Sequence, residues 1–356
     1  MSKFQIVRMD NSILWNKIVG SFSDYDVYYL SNYVKAFQLH GDGEPLLICY
    51  ESNDFRCINV VMKRDISKFY LFKDKIEPGT IFDTITPYGY GGFLFEGNVC
   101  KEGLSRFYEE YVNLLYSEEH VIADFIRYHP LLNASILMHN VSDVVDLGKT
   151  ISIDLESFDI IWENLTSKNR NMIRKSRKSG VEIFHGKGSE LLDKFIPMYE
   201  DTMNKDAAIS YYYFERDFYD SIAVDLEDNY EIFYASLAEN VIAMAIILYA
   251  NGRMHYHLSC SNVEYRNLAP SNLLLYEAAC WGCKNGFKIF HLGGGLGAGF
   301  DSLYKFKEGF NRNSNNIFSI GKKVVNQKIY DRLVTLRKNK NPDFNENTSY
   351  FPLYRG

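Results

Sequence analysis

No apolar run in this 356-residue sequence approaches the roughly 18 residues that a membrane-crossing helix requires. The longest candidate, Val241 to Ala250, reads as a buried strand. The opening MSKFQIVRMD has no apolar core behind its charges and does not read as a secretion signal. Cysteine is sparse, six in all, without the spacing of a disulfide framework. Cys280 and Cys283 form one CxxC, but no second pair stands at zinc-ligand spacing, so no metal site is expected. A redox pair would put its first thiol at a helix N-terminus, whereas Cys280 falls late in a helix expected from Ser271 to Asn285. The thiols therefore read as small buried side chains, and the compartment as cytoplasmic. Positive charge is not in excess: 39 Lys and Arg against 45 Asp and Glu give a net charge of −6. That excludes wholesale coating of nucleic acid and leaves room for one local basic site. No Gly-x-Ser-x-Gly elbow is present, which argues against a covalent acyl-serine intermediate.

What is present is ordinary globular usage, 46% hydrophobic and 24% charged, at a length that suggests two domains. Twenty-seven Tyr and 25 Phe can supply core and pocket walls. The first half reads as mixed α/β. Strands are expected over Leu46–Tyr50, Phe55–Met62 and Val121–Ile126, and a helix over Leu104–Tyr116 from its apolar spacing. In the second half a strand is expected over Thr150–Leu155. A single helix over Phe158–Ser179 would be closed by Gly180. A helix capped by Ser189 and another over Phe214–Leu226 follow. Three strands then run in succession from Glu231 to Ser261, with Asn251-Gly252 as a type I′ hairpin turn. A helix over Ser271–Asn285, a strand over Phe287–Leu292, a short helix over Asp301–Gly309 and a last strand over Asn316–Ile320 end the order. The expected domains are 1–149 and 150–340, with 341–356 as a tail.

Several constellations can carry chemistry. Six cations, Lys168, Arg170, Arg174, Lys175, Arg177 and Lys178, stand with no acid between Glu163 and Glu182. On a helix Arg170, Arg174 and Arg177 or Lys178 share a face, which is either solvated surface or a site for phosphate or carboxylate. In the strand Arg253–Ser261, period two puts His255, His257, Ser259 and Ser261 on one face and Met254, Tyr256, Leu258 and Cys260 on the other. His257 there is either a satisfied sheet histidine or a base near neutral pH. The Gly293–Gly299 run brushes a dinucleotide pattern but lacks the early βαβ unit and the downstream acid. It reads instead as a loop passing close to a substrate or to another chain segment. The short helix after it can aim Lys305 or Lys307 at a reacting carbonyl and stabilise the oxyanion. Thr86-Pro-Tyr-Gly-Tyr-Gly-Gly92 offers positive-φ glycines beside Tyr88 and Tyr90.

The segments Trp162-Glu-Asn-Leu through Gly180, His255-Tyr-His-Leu-Ser259, Leu292 through Phe310 and Tyr88-Gly-Tyr-Gly-Gly92 together resemble the Fem peptidoglycan-bridge aminoacyltransferases and the BioF2-like acetyltransferases. The likeness covers roughly residues 20–340. It implies an α/β fold with mixed sheets, two GNAT-like acyltransferase domains in tandem, and a substrate channel between them. In the Fem group an aminoacyl-tRNA is the donor and an amine of a nucleotide-linked peptidoglycan precursor the acceptor. The resemblance implies catalysis by Lys307 and precursor binding by Lys35. In the reading adopted for the residues, Arg170 and Arg174 hold phosphates, and Tyr88 and Tyr90 line the acceptor channel. CoA-dependent GNAT enzymes carry a pyrophosphate loop where this chain has Arg266, Ala269, Pro270, Ser271 and Asn272. Pro270 removes one N–H donor there. The donor is thus aminoacyl-tRNA or acetyl-CoA as co-substrate, with no tightly bound cofactor. An N-acetyltransferase acting on an amino sugar or small amine in surface polysaccharide synthesis is the alternative. A binding module without turnover is the third reading.

Overall fold

The computed structural model describes residues 2–341 and 343–356. The chain opens with β1 (Lys3–Arg8), α1 (Ser12–Gly20), α2 (Ser31–His40), β2 (Glu44–Glu51), β3 (Phe55–Asp65), β4 (Phe82–Ile85), β5 (Leu94–Gly97), α3 (Lys101–Ser117), β6 (Val121–Arg127) and α4 (Ala134–Met138). It continues with β7 (Val144–Asp154), α5 (Phe158–Asn164), α6 (Ser167–Lys178), β8 (Glu182–Gly186), α7 (Ser189–Lys205) and α8 (Arg216–Asp225). Then come β9 (Tyr230–Leu237), β10 (Asn240–Ala250), β11 (Arg253–Ser261), α9 (Pro270–Lys284), β12 (Ile289–Gly293), α10 (Ser302–Glu308), β13 (Asn316–Val324) and α11 (Gln327–Lys340). Two compact units result, one of residues 1–147 with 318–356, the other of residues 148–317. Among the described residues no helix is long and apolar enough to cross a membrane.

In the first unit β1, β2 and β3 pair antiparallel, β3 takes β4 and β5, and β4 runs parallel to β6. α3 covers this sheet because Leu104, Phe107, Tyr111, Leu114 and Leu115 recur at helical spacing and are buried. The expectation that the chain to residue 340 belongs to the second domain is corrected. β13 pairs antiparallel with β6, from Ile320 opposite Arg127 to Val324 opposite Ala123. α11 adds Tyr330 and Leu333 to a core that holds Ile122 and Ala123. Residues 343–356 are no loose tail either. Asp83 is fully buried and receives Arg64 Nε at 2.7 Å, Arg355 Nε at 2.5 Å and the Tyr354 hydroxyl at 2.9 Å. A carboxylate taken out of water needs such partners, and part of the set comes from the end of the chain.

The second unit is a mixed sheet in the order β7, β12, β11, β10, β9, β8, parallel only between β11 and β12. β10 is central and buried along most of its length, as an unbroken apolar run requires. Asn251 and Gly252 both take positive φ, 47° and 77°, the type I′ geometry their sequence signals. Two expectations change here. The helix over 158–179 is two helices: Leu165 is extended at ψ 140°, and Thr166 caps α6 by accepting the Asn169 N–H at 3.3 Å. The cap position of α7 is Gly188 at φ 107°, so Ser189 is the first helical residue rather than the cap.

Among the described residues, the buried Asp124 of the first unit has no paired cation. Asp124 accepts from the Thr84 hydroxyl at 2.8 Å and the Tyr111 hydroxyl at 3.1 Å. Burial raises its carboxyl to about 6 in spite of those bonds. A folded value above the unfolded one means that Asp124 favours the fold at low pH, and this contribution is lost as pH rises from about 4 through 6. Asp124→Asn should therefore unfold with a smaller loss of stability between pH 4 and pH 7, by up to about 3 kcal/mol, in urea titrations at the two pH values.

Candidate active site

The second unit builds its site on the glycine-rich turn between β12 and α10. Gly293 takes φ 78° at the end of the strand. A Cβ at Gly295 would fall 2.2 Å from the Gly299 carbonyl oxygen and 2.5 Å from Asp301 Oδ1, so only glycine fits. Asp301 closes the turn: Oδ2 accepts the Leu296 N–H at 2.9 Å and Oδ1 accepts the Tyr304 N–H at 2.8 Å, capping α10. These two N–H groups, Tyr304 foremost, hold the Asp301 carboxyl below its usual range. α10 then turns Lys307 inward. The side chain is only 8% exposed, and Nζ donates to the Gly294 carbonyl at 2.7 Å. The Tyr256 ring of β11 lies with its centroid 6.0 Å from the same nitrogen. Burial brings the Lys307 amine down to about 8, against the nearby Asp301 carboxylate that favours its charge. Lys305, two residues earlier on the helix, is exposed and does not share this environment.

β11 and β12 part beside that lysine. Among the described residues only Arg253–His255 pair with Ile289–His291, and from Tyr256 onward β11 has no strand partner on that side. The other edge of β11 carries a bulge: Leu258 faces Ile246 while Tyr256 faces Ile247, with His257 as the extra residue. The bulge overturns the period-two expectation. Met254 and Tyr256 pack with the core that holds Ile247 and Leu274, whereas Cys260 turns to the Phe195 carbonyl of α7. Ser259 pairs with Ala245 of the Met254 side, and its hydrogen bond partly offsets the burial that pushes the Tyr256 hydroxyl up to about 12. His257 is not a base near neutral pH. Burial, and then the neighbouring His255, take it down to about 3, so it stays uncharged at physiological pH.

The basic helix is partly committed. Arg174 lies 5.2 Å from the Trp162 ring, and Arg177 pairs with Glu277 at 2.6 Å over the Tyr276 ring. Arg170 is half-buried, Lys168, Lys175 and Lys178 are exposed, and none of these four has a carboxylate partner among the described residues. At the start of α9, Ala269 takes left-handed φ 55° and Pro270 is the first helical residue. Asn272 N–H and Leu273 N–H both turn back to the Ala269 carbonyl, at 3.2 and 3.4 Å. The Asn272 side chain donates to Asn169 Oδ1 at 2.7 Å, and Arg266 is exposed. Ser271 N–H is left as the donor of this first turn. A CoA pyrophosphate is held by several backbone N–H groups, and these residues do not fit that cradle.

In the first unit Tyr88 and Tyr90 sit in a tyrosine cluster at the 86–92 loop. Tyr33 of α2 donates its hydroxyl to the Tyr88 carbonyl at 2.6 Å, Phe37 stacks on Tyr88, and Tyr28 meets Tyr90 edge-on. Lys35 is half-buried on the same helix. Three residues passed over in the sequence hold the loop and its neighbourhood. Arg127 Nη2 donates to the Thr86 and Pro87 carbonyls at 2.8 and 3.1 Å. His129 Nε2 stands 3.0 Å from Asp26 Oδ2, both fully buried, while His129 Nδ1 accepts the Leu131 N–H at 3.2 Å. That bond places the ring proton on Nε2, toward the carboxylate. No sequence pattern links Asp26 to His129. Asp301, by contrast, stands at the start of the short helix expected from the sequence, and the structure makes it the N-cap.

Residues 167–307 match the family model described as an acetyltransferase (GNAT) domain. Among solved structures, FemX is similar at TM-score 0.65 and 13% identity, covering 93% of this chain and 99% of that one. The C-terminal domain of a putative lysylphosphatidylglycerol synthetase from Agrobacterium fabrum is similar at TM-score 0.52 and 12% identity, covering 88% and 91%. A tandem GNAT protein from the clavulanic acid biosynthesis pathway is similar at TM-score 0.50 and 7% identity, covering 91% and 99%. No curated protein matches the chain by sequence. The chain thus has the mixed α/β fold of tandem GNAT proteins and carries a GNAT acyltransferase domain.

The folded Lys307 amine lies below its ordinary value, so its burial weakens the fold at neutral pH and is relieved as pH rises from about 8 toward 10.5. Lys307→Met should melt no lower than the parent at pH 7. Asp301→Ala, which opens the turn and uncaps α10, should cost about 1–2 kcal/mol in chemical denaturation.

Proposed function

We propose that this protein forms an amide by direct acyl transfer, with an aminoacyl-tRNA as donor and an amine of a nucleotide-linked cell-wall precursor as acceptor. The observation that carries the reading is the buried Lys307 amine, held on the Gly294 carbonyl where β11 and β12 part. The acceptor amine, uncharged, attacks the acyl carbonyl carbon. The carbonyl electrons move to oxygen, and the Lys307 ammonium donates to that oxyanion. Collapse expels the ribose oxygen of the donor, which takes a proton, while the attacking nitrogen gives one up to solvent. His257, with its imidazole taken down to about 3 by burial and then by His255, is too weakly basic to be assigned the proton.

The first turn of α9, with one N–H to offer, supports an RNA-borne donor over CoA. The cations of α6 without carboxylate partners suit phosphodiester oxygens. Tyr88, Tyr90 and Lys35 are assigned to the acceptor, on the resemblance of their motifs to the Fem group. The reaction is placed in the cytoplasm, where both proposed substrates are made.

Thermal melts with a UDP-muramoyl peptide, charged tRNA and acetyl-CoA test the substrates, since a ligand of the native state raises Tm by mass action. Shifts with the first two are expected. A shift with acetyl-CoA alone would replace this reading with CoA-dependent N-acetylation. Lys307→Met should lower turnover at least about tenfold with the fold kept. Turnover of the parent should decline as pH rises through about 8, where the ammonium is lost. Unchanged turnover in the variant would remove Lys307 from the reaction.

A further inference from the structure

We infer that Asn169 is a positioning residue for Lys307, tying the first turn of α9 to the last turn of α10. The inference rests on the reading of Lys307 given above. Asn169 lies on the polar helix α6 yet is only 3% exposed. Its Oδ1 accepts from Asn272 Nδ2 at 2.7 Å. Its main-chain N–H goes to Thr166 Oγ1 at 3.3 Å. Thr166 in turn grips the Gly309 carbonyl twice, through N–H at 3.0 Å and Oγ1 at 3.3 Å. Gly309 stands two residues after Lys307, in the turn closed by Phe310 N–H on the Lys307 carbonyl at 2.9 Å. The contacts therefore run without a gap from Asn272, through Asn169 and Thr166, to the turn that carries the amine.

The choice of an amide at this place is informative. Asn169 Nδ2 is buried and has no acceptor among the described residues. Such an orphan loses its hydration without recompense, and an apolar side chain of the same size would avoid that. A hydrogen-bonded amide pair fixes distance and direction, which an apolar contact does not. Asn169 also flanks the lysine turn directly: a Cβ at Gly309 would make ordinary contact, at 3.5 Å, with Asn169 Nδ2.

The test needs no substrate. Competitive labelling of the full chain with trace acetic anhydride over a pH series, read at each lysine by mass spectrometry, gives the titration midpoint of Lys307 directly. The groups facing that amine are Asp301 and Tyr256, and both stay in place. The parent should titrate near 8. In Asn169→Leu the lysine turn loosens, water reaches the amine, and the midpoint should rise by about one pH unit. Asn272→Leu should do the same, and the double variant no more than either alone, because all three cut one link. Thr166→Val should reproduce the shift and Thr166→Ser, which keeps both bonds, should not. If Asn169→Leu does not fold, Asn272→Leu and Thr166→Val read the same link from its other parts. A parent near 8 that Asn169→Leu, Asn272→Leu and Thr166→Val all leave in place would overturn this inference alone, whatever happens to Tm. A parent midpoint at the ordinary lysine value would overturn the reading of Lys307, and this inference with it.

Discussion

The Asp301 carboxylate makes two hydrogen bonds at once, one closing the glycine-rich turn on Leu296 and one starting α10 at Tyr304. Everything distinctive about the site follows from that bifurcated closure. A seven-residue helix has little stability of its own and takes its direction from its cap. Fixed in this way, α10 puts Lys307 rather than Lys305 against the sheet. The Gly294 carbonyl it meets belongs to the same turn. The amine and its acceptor are therefore set by one loop, and the desolvation that lowers its basicity is a consequence of where the cap points the helix.

The first unit treats its buried carboxylates Asp83 and Asp124 differently. Asp83 is surrounded by Arg64, Arg355 and Tyr354, and the two cations outweigh burial and hold it below the usual carboxylate range. It fastens the last residues of the chain to the first unit. Asp124 has hydroxyl donors alone, and burial wins. Both are structural by location, within cores that Phe107, Leu333 and their neighbours complete. The tyrosine cluster at the 86–92 loop is different in kind. There the backbone is stitched by Arg127 and Tyr33, and a Cβ at Gly89, which takes φ 85°, would fall 2.6 Å from Tyr28 Cε1. The aromatic rings leave no room for a side chain at that position.

The splay of β11 from β12 and the bulge at His257 work together. The bulge reverses which residues face α9, so that Tyr256 and Ser259 come to one side although their numbers differ by three. A flat strand would have set Ser259 with His255. Tyr256, ahead of the bulge, keeps its ring centroid 6.0 Å from Lys307 Nζ, and Ser259, beyond it, joins the same side of the strand.

Much of this was legible in the residues. The apolar spacing of α3, the continuous run of β10, the Asn251-Gly252 turn and the glycine-rich segment ahead of Lys307 each encode local geometry, because they depend on periods and backbone preferences that neighbours in the chain enforce. So does the basic stretch of α6, whose sequence also shows that its charges lack nearby acids. The break at Leu165 and Thr166 escaped because its cause, the Gly309 carbonyl, lies far along the chain. The bulge at His257 escaped because register is settled by the partner strand. The membership of β13 and α11 in the first unit, the partnering of Arg174 and Arg177, and the drop of His257 to about 3 are likewise decided by what packs against them. The sequence determined the locally encoded elements, and the resemblance it carries pointed to Lys307. Tertiary structure decided how dry that lysine is and what holds it, because desolvation and hydrogen bonding depend on contacts between residues distant in the chain.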